Sequence, residues 1–185
     1  MKHAGTVRIE TERLVLRRVE LSDAPAMFAN WTGDDQVTRY LTWPTHASVE
    51  VTEGFVKYLL GEYEKPEGYC WGIAWKDNER ELFGMISVVK IDEEIDALEI
   101  GYCLGRRWWG RGVMTEALGA VIAFCFDTLG AQRVSARHDT NNPASGAVMR
   151  KCGMTYEGTL RRADKNNQGI CDAAYYSILR EEYRK

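Results

Sequence analysis

The segment Arg107-Trp108-Trp109-Gly110-Arg111-Gly112-Val113-Met114-Thr115-Glu116 constrains the fold more than any other part of the chain. It joins a strand-like run, Leu98 to Leu104, to a long amphipathic helical run, Val113 to Leu129, with two glycines at the joint. A strand that turns through glycines into a helix presents unpaired backbone N–H groups together with the positive end of the helix dipole. Such an end binds phosphate. The chain is therefore expected to build a sheet with helices packed on it and a phosphate-bearing ligand at this turn.

The remaining periodicity supplies that sheet. Arg13 to Val19 alternates apolar and polar residues as a half-buried strand does. Ser22-Asp23 starts a helix through Met27, Phe28 and Trp31, and Ser48 to Tyr63 forms a second, with Val51, Phe55, Tyr58 and Leu59 at helical spacing. Tyr69 to Trp75, Leu82 to Ile91 and Ala97 to Leu104 read as consecutive strands, the first two joined by the polar turn Lys76 to Arg80. Both faces of Leu82 to Val89 are largely apolar, which predicts a central strand. The helix from Val113 puts Met114, Ala117, Leu118, Val121, Phe124 and Cys125 on one side, and Gly130 can close it. Arg133 to His138 is a short strand, and Asn142-Pro143 opens a helix that ends at Cys152-Gly153. Met154 to Leu160 and Ile170 to Leu179 complete a mixed α/β sheet of about seven strands with about four helices, in one domain over residues 1–185.

Composition narrows the partners. A net charge of −3 gives no field to hold nucleic acid or an anionic membrane. The longest apolar run, around Ala120 to Phe126, is too short to span a bilayer, and the first ten residues lack a signal-peptide core. Five cysteines, scattered and without a C-x-x-C pair, argue against a disulfide framework or a zinc cluster and for a reducing cytoplasm. No metal is expected.

Three readings compete at the phosphate turn. A dinucleotide fingerprint needs G-x-G-x-x-G, but Thr115 holds the third position and no early β-α-β unit accompanies it. A nucleotide P-loop needs G-K-[ST], which is absent. The third reading is a tight turn whose glycines serve shape alone.

R-x-x-G-x-G (Arg107 to Gly112) followed by Thr115-Glu116-Ala117 resembles the acyl-CoA-binding motif of the GCN5-related N-acetyltransferases (GNAT). Glu99-Ile100-Gly101-Tyr102 resembles the strand before that motif, and Asn142-Pro143-Ala144-Ser145 with Val148, Lys151 and Gly153-Met154 resembles the helix after it. Thr11-Glu12-Arg13-Leu14, Gly158-Thr159-Leu160-Arg161, Asp172 and Tyr176 to Tyr183 are similar to the RimJ/RimL-type branch, whose known members modify N-terminal amines of ribosomal proteins. The resemblance implies a GNAT fold with a mostly antiparallel sheet and a strand from Glu99 to Leu104 that splays from its neighbour to pair with the pantetheine arm. It implies acetyl-CoA as co-substrate, with Ile100, Gly101, Tyr102, Arg107, Trp108, Trp109, Gly110, Arg111, Gly112, Val113, Met114 and Asn142 around it. Gly110 and Gly112 would let the pyrophosphate approach the backbone, and Gly101 would leave room for the thioester.

Acetyl transfer needs a neutral amine and a proton for the leaving thiolate. At pH 7 about a tenth of an α-amine with pKa about 7.7 to 8.0 is neutral, against about 0.04% of a lysine near 10.4. An N-terminal acceptor thus needs only a modest base, and Glu99 is the candidate, with an edge salt bridge as the alternative. Asn142 is a natural helix N-cap and, by resemblance, a coenzyme or substrate contact. Ser145 is the candidate proton donor, because Met149 stands where many relatives carry a tyrosine acid. An acyl relay through Cys103, catalysis by His138, and base stacking on Trp108-Trp109 are weaker readings. Trp31, Tyr40 and Trp43 group between the first two helices, where the family admits the acceptor. The expected enzyme transfers acetyl directly, in a ternary complex, to a protein N-terminus. The alternatives are a small-molecule amine, for which the acidic run Asp92-Glu93-Glu94-Asp96 would help form a cleft, and a silent acyl-CoA-binding module. A monomer or homodimer fits either.

Overall fold

The computed structural model describes residues 1–183. Alternating side chains, buried on both faces, organise a sheet of eight strands: β1 (Ile9–Glu10), β2 (Leu14–Arg17), β3 (Cys70–Trp75), β4 (Gly84–Asp92), β5 (Ala97–Leu104), β6 (Arg133–Asp139), β7 (Thr155–Asn166) and β8 (Gly169–Leu179). Their order is β1-β2-β3-β4-β5-β6-β8-β7, and every neighbouring pair is antiparallel except β5 with β6. The helices are α1 (Ala24–Met27), α2 (Asp35–Thr38), α3 (Val49–Glu62), α4 (Val113–Phe124), α5 (Pro143–Lys151) and α6 (Arg180–Tyr183).

Period-two alternation divides the core. Leu14, Leu16, Trp71, Ile73, Phe83, Ile86, Leu98 and Ile100 join the buried stripe of α4, whose Ala117, Leu118 and Val121 are fully enclosed. Val15, Ala74, Met85 and Cys103 point the other way, into a second core with Met27, Trp31, Val56 and Leu59 from the α1–α3 side. Each large apolar side chain enclosed this way contributes roughly 1.5–3 kcal/mol, which is what holds helices on both faces of an open sheet.

The expected strands and long helices are present, and β4 is central as its two apolar faces require. The sheet has eight strands rather than about seven, because the two-residue edge strand β1 has no alternation to betray it. The two single-turn helices α2 and α6 raise the helix count above the expected four. β7 runs on to Asn166, past the expected end at Leu160. Its second half is an exposed edge with a register shift between Leu160 and Asp164, where Arg162 adopts φ +51°. Without a buried face, such a segment shows no hydrophobic pattern.

The feature that positions the site is a divergence of the two parallel strands. β5 and β6 pair only at Ala97–Arg133, Leu98–Val134 and Glu99–Ser135. Beyond Glu99, β5 stays paired to β4 and β6 to β8, but the facing edges of Ile100–Leu104 and Ala136–Asp139 separate. The sheet therefore contains a notch, as the splayed strand of the sequence reading requires.

Candidate active site

The phosphate turn begins where β5 ends. Gly105 N–H donates to the Phe83 carbonyl at 2.8 Å, and a single 3-10 turn, Arg106–Trp108, follows. Trp108 is buried and stacks on Phe83 with centroids 4.9 Å apart, which anchors the turn in the core. Arg107 lies over the Trp108 ring at 5.2 Å. Trp109 is half exposed and donates its indole N–H to the Leu104 carbonyl at 2.6 Å. Gly110 and Gly112 have φ of +71° and +73°, the left-handed region in which a side chain is strained. A Cβ at Gly110 would meet nothing within 4 Å, so that face of the loop is open.

Gly112 caps α4 without a side chain, and the first helical bond runs from Glu116 N–H to the Gly112 carbonyl at 3.0 Å. The N–H groups from Gly110 through Thr115 consequently have no acceptor among the described residues. The loop is braced from behind by Glu116. Its carboxylate accepts from Thr11 Oγ1 at 2.6 Å, from Arg13 N–H at 2.9 Å and from Arg13 Nε at 2.7 Å. Arg13 also donates to the Arg111 carbonyl at 3.2 Å. Burial alone would raise the Glu116 carboxyl, but the bonds from Thr11 and Arg13 hold it below the usual carboxylate range. Thr11 and Arg13 thus act on the phosphate turn from about a hundred residues away.

Two cavities meet at the notch. One, of about 450 Å³, runs beneath the phosphate turn between α4 and α5, lined by Trp108, Trp109, Gly110, Gly112, Val113 and Met114 among others. The second, of about 250 Å³, lies beside Trp43, Glu99, Arg137, His138 and Asp164. Tyr40, Leu41, Tyr102, Cys103, Asn142 and Ser145 line both.

At the junction, Asn142 is at the N-cap of α5 with φ −112° and ψ 66°, yet its side chain makes no capping hydrogen bond. Side-chain capping, the alternative role for this residue, is therefore absent. Ser145 Oγ lies 2.9 Å from the Tyr102 phenol oxygen, and the phenol donates to the Ser145 carbonyl at 3.0 Å. Burial pushes the Tyr102 phenol well above its ordinary value, so the phenol stays protonated. Met149 is buried in the core, away from both cavities.

The carboxylate of Glu99 is paired with the Arg137 guanidinium through one oxygen, while its other oxygen has no donor among the described residues. Arg137 donates through Nε to Asp164 at 2.6 Å, and this bond raises the guanidinium above its ordinary value despite burial. The salt-bridge alternative is thus present on one oxygen, and the other is left without a donor among the described residues. His138 Nδ1 lies 2.8 Å from the Asp139 carbonyl, and its Nε2 is buried with no partner. A Cβ on Gly146 would come within 2.5 Å of that nitrogen, so it abuts α5. Burial pushes the Cys103 thiol up to about 12, a value at which it is inert as a nucleophile near neutral pH.

Several of the expected residues lie differently from what their grouping along the chain suggests, and Trp31 is a correction. Trp31 lines neither cavity; it is fully buried in the second core, leaving Tyr40 and Trp43 of the proposed acceptor group at a cavity wall. Gly101 lines the smaller cavity, but Val89 Cγ1 takes the space above it: a Cβ there would lie 2.9 Å away. Arg107 and Arg111 face neither cavity directly, and Ile100 is a core residue that reaches the smaller one. The acidic run also lines neither cavity; Asp96 holds the Met1 amine at 2.9 Å and Glu93 contacts His3. Arg137, Asp164, Asp139 and Asn166 complete the smaller cavity and were not legible as site residues, because strand positions on β6 and an edge hairpin converge only in three dimensions.

Comparison with known proteins follows the same outline. A family model described as an acetyltransferase (GNAT) domain matches residues 13–155. The chain is 33% identical over 172 residues to the uncharacterized N-acetyltransferase YoaA of Bacillus subtilis (strain 168), covering 93% of this chain and 96% of that protein. It is 26% identical over 155 residues to the [ribosomal protein uS5]-alanine N-acetyltransferase of Escherichia coli (strain K12), covering 82% and 80%. A solved structure of RimL, a ribosomal L7/L12 alpha-N-protein acetyltransferase in complex with coenzyme A, superposes with a TM-score of 0.79 at 26% identity, over 94% of this chain and 98% of that one.

Proposed function

The chain belongs to the GNAT family of acetyl-CoA-dependent N-acetyltransferases, and we propose that its acceptor is a protein N-terminal α-amine, acetylated by direct transfer in a ternary complex. The observation that carries this reading is the meeting of two cavities at the β5–β6 notch, one beneath a row of unpartnered N–H groups and one beside Glu99. Similarity to a uS5-alanine acetyltransferase and to RimL supports an N-terminal acceptor. The free cysteines fit a cytoplasmic site of action.

The residues present fit coenzyme A. N–H groups from Gly110 to Thr115 and the N-terminus of α4 would bind the diphosphate, the open face of Gly110 letting it approach and Arg13 lying beside Gly112. The separated edges of β5 and β6 offer N–H and C=O groups to the pantetheine amides. Acetyl-CoA supplies an activated acyl group. Glu99, through its unpaired oxygen, accepts the amine proton, directly or through water. Asn142 orients the groups at the junction, and Ser145, in contact with Tyr102, returns a proton to the departing thiolate.

The test is thiol release from acetyl-CoA with panels of N-terminal peptides and of small amines. Turnover with peptides, with intersecting double-reciprocal lines when both substrates are varied, is the expected outcome. Turnover confined to small amines would replace the acceptor, and coenzyme binding without turnover would leave an acyl-CoA-binding module. Glu99→Gln should slow peptide acetylation about 10²-fold, most at low pH where the amine is largely protonated. A rate unchanged across pH would remove Glu99 as the base.

A further inference from the structure

The turn between β7 and β8 touches both walls of the smaller cavity. Asn167 Nδ2 donates to the Thr38 carbonyl at 2.8 Å and to the Trp43 carbonyl at 2.7 Å, and Asn167 N–H donates to the Leu41 carbonyl at 3.2 Å. All three acceptors belong to the short stretch that carries Tyr40, Leu41 and Trp43 to the cavity. That stretch is irregular after α2, shaped locally by the Leu41 N–H to Thr38 carbonyl bond, at 2.8 Å, and by a hydroxyl contact between Thr38 and Thr45. The preceding residue, buried Asn166, donates to Asp139 Oδ2 at 2.7 Å and accepts from Gln168 N–H at 2.8 Å. Asp139 ends β6, three residues before Asn142. One two-residue turn therefore ties the Tyr40–Trp43 stretch to the strand end that leads to the junction.

We propose that Asn167 is a positioning residue for the acceptor: it holds the Tyr40–Trp43 wall against the notch so that the amine is presented to Glu99. The proposal rests on the acetyl-transfer reading and names what fixes the geometry of its acceptor side. The chemistry is specific to a carboxamide. Both Nδ2 hydrogens are used, each on a backbone carbonyl. Alanine at this position donates neither bond. Aspartate keeps the shape but turns lone pairs toward two carbonyl oxygens, so it repels what asparagine binds.

The experiment compares Asn167→Ala, Asn167→Asp and Gln168→Ala, the last a neighbour whose side chain makes no hydrogen bond among the described residues. For the best N-terminal peptide of the panel, Asn167→Ala should raise KM roughly tenfold, as the loss of one or two net hydrogen bonds would. Its kcat and the coenzyme A dissociation constant should move far less. Asn167→Asp should be worse than alanine, and Gln168→Ala should match the parent. Backbone hydrogen exchange over residues 38–43 should quicken in the same rank order, with thermal melting reporting that each variant is folded. A peptide KM that is unchanged, that rises no more than the coenzyme constant, or that is equal for alanine and aspartate overturns the proposal. If the parent protein acetylates none of the amines, the acetyl-transfer reading fails by itself. Exchange over residues 38–43 still decides the tether, and unaltered exchange in Asn167→Asp overturns it.

Discussion

Cys103 borders both cavities and is the most exposed to a covalent alternative, in which the acetyl group passes through an enzyme thiol. Its environment opposes that. With the thiol pushed up to about 12 by burial, its charged form is scarce near neutral pH. Cys103→Ala should leave kcat within about twofold and cost roughly 1 kcal/mol of stability for the small cavity. Mass spectrometry of the protein after incubation with acetyl-CoA should find no acetyl group on Cys103; an acetylated thiol would restore the relay. Other single residues show where reading the chain succeeds and where it stops. Asn142-Pro143 announces a helix start correctly, but whether the asparagine spends its side chain on capping depends on its own φ and ψ, which the loop from Asp139 sets. Trp31 was grouped with Tyr40 and Trp43 by nearness along the chain. Its spacing of four from Met27 placed it on the core side, and that signal was present in the sequence.

Between elements, the tie from the chain start to the head of α4 has a pH consequence. The Glu116 carboxyl is held below its ordinary value of 4.5, with burial opposing and the bonds from Thr11 and Arg13 prevailing. A depressed carboxyl contributes its full stability above the unfolded value and loses it as pH falls through the lower folded value. Glu116→Gln should therefore lower stability by roughly 1–3 kcal/mol at pH 7 and weaken coenzyme A binding, since the brace holds the phosphate turn. In thermal melts, the gap between parent and variant should close as pH drops below about 4. A gap that stays constant with pH would show that the bonds, not the charge, carry the effect. Thr11-Glu12-Arg13-Leu14 was legible as a pattern, but its physical purpose was not, because the partner lies 103 residues from Arg13. β7 is half legible for the opposite reason: its second half buries no apolar side chain, so its composition carries no hydrophobic pattern.

Taken over the whole chain, donor and acceptor sides differ in how they are written. Much of the proposed donor side, the larger cavity, is lined from residues Tyr102–Thr115 and Asn142–Lys151, two compact stretches legible as elements in the sequence. The proposed acceptor side, the smaller cavity, is assembled from the stretch after α2, β5, β6, and the β7–β8 hairpin, which meet only when the sheet brings them together. The notch that joins the two sides has a further consequence for the protein as an object in a cell. Unpaired strand edges facing each other are a template for any passing extended chain, and among the described residues no third strand pairs with the stretch beyond Glu99. Coenzyme A at about a hundred times its dissociation constant should stabilise the protein by about 2.7 kcal/mol and delay aggregation on mild heating, read by light scattering. Equal aggregation with and without it would deny the notch that role. If the co-substrate closes the gap it doubles as a chaperone, and the lifetime of this protein would then track the cell's supply of activated carbon.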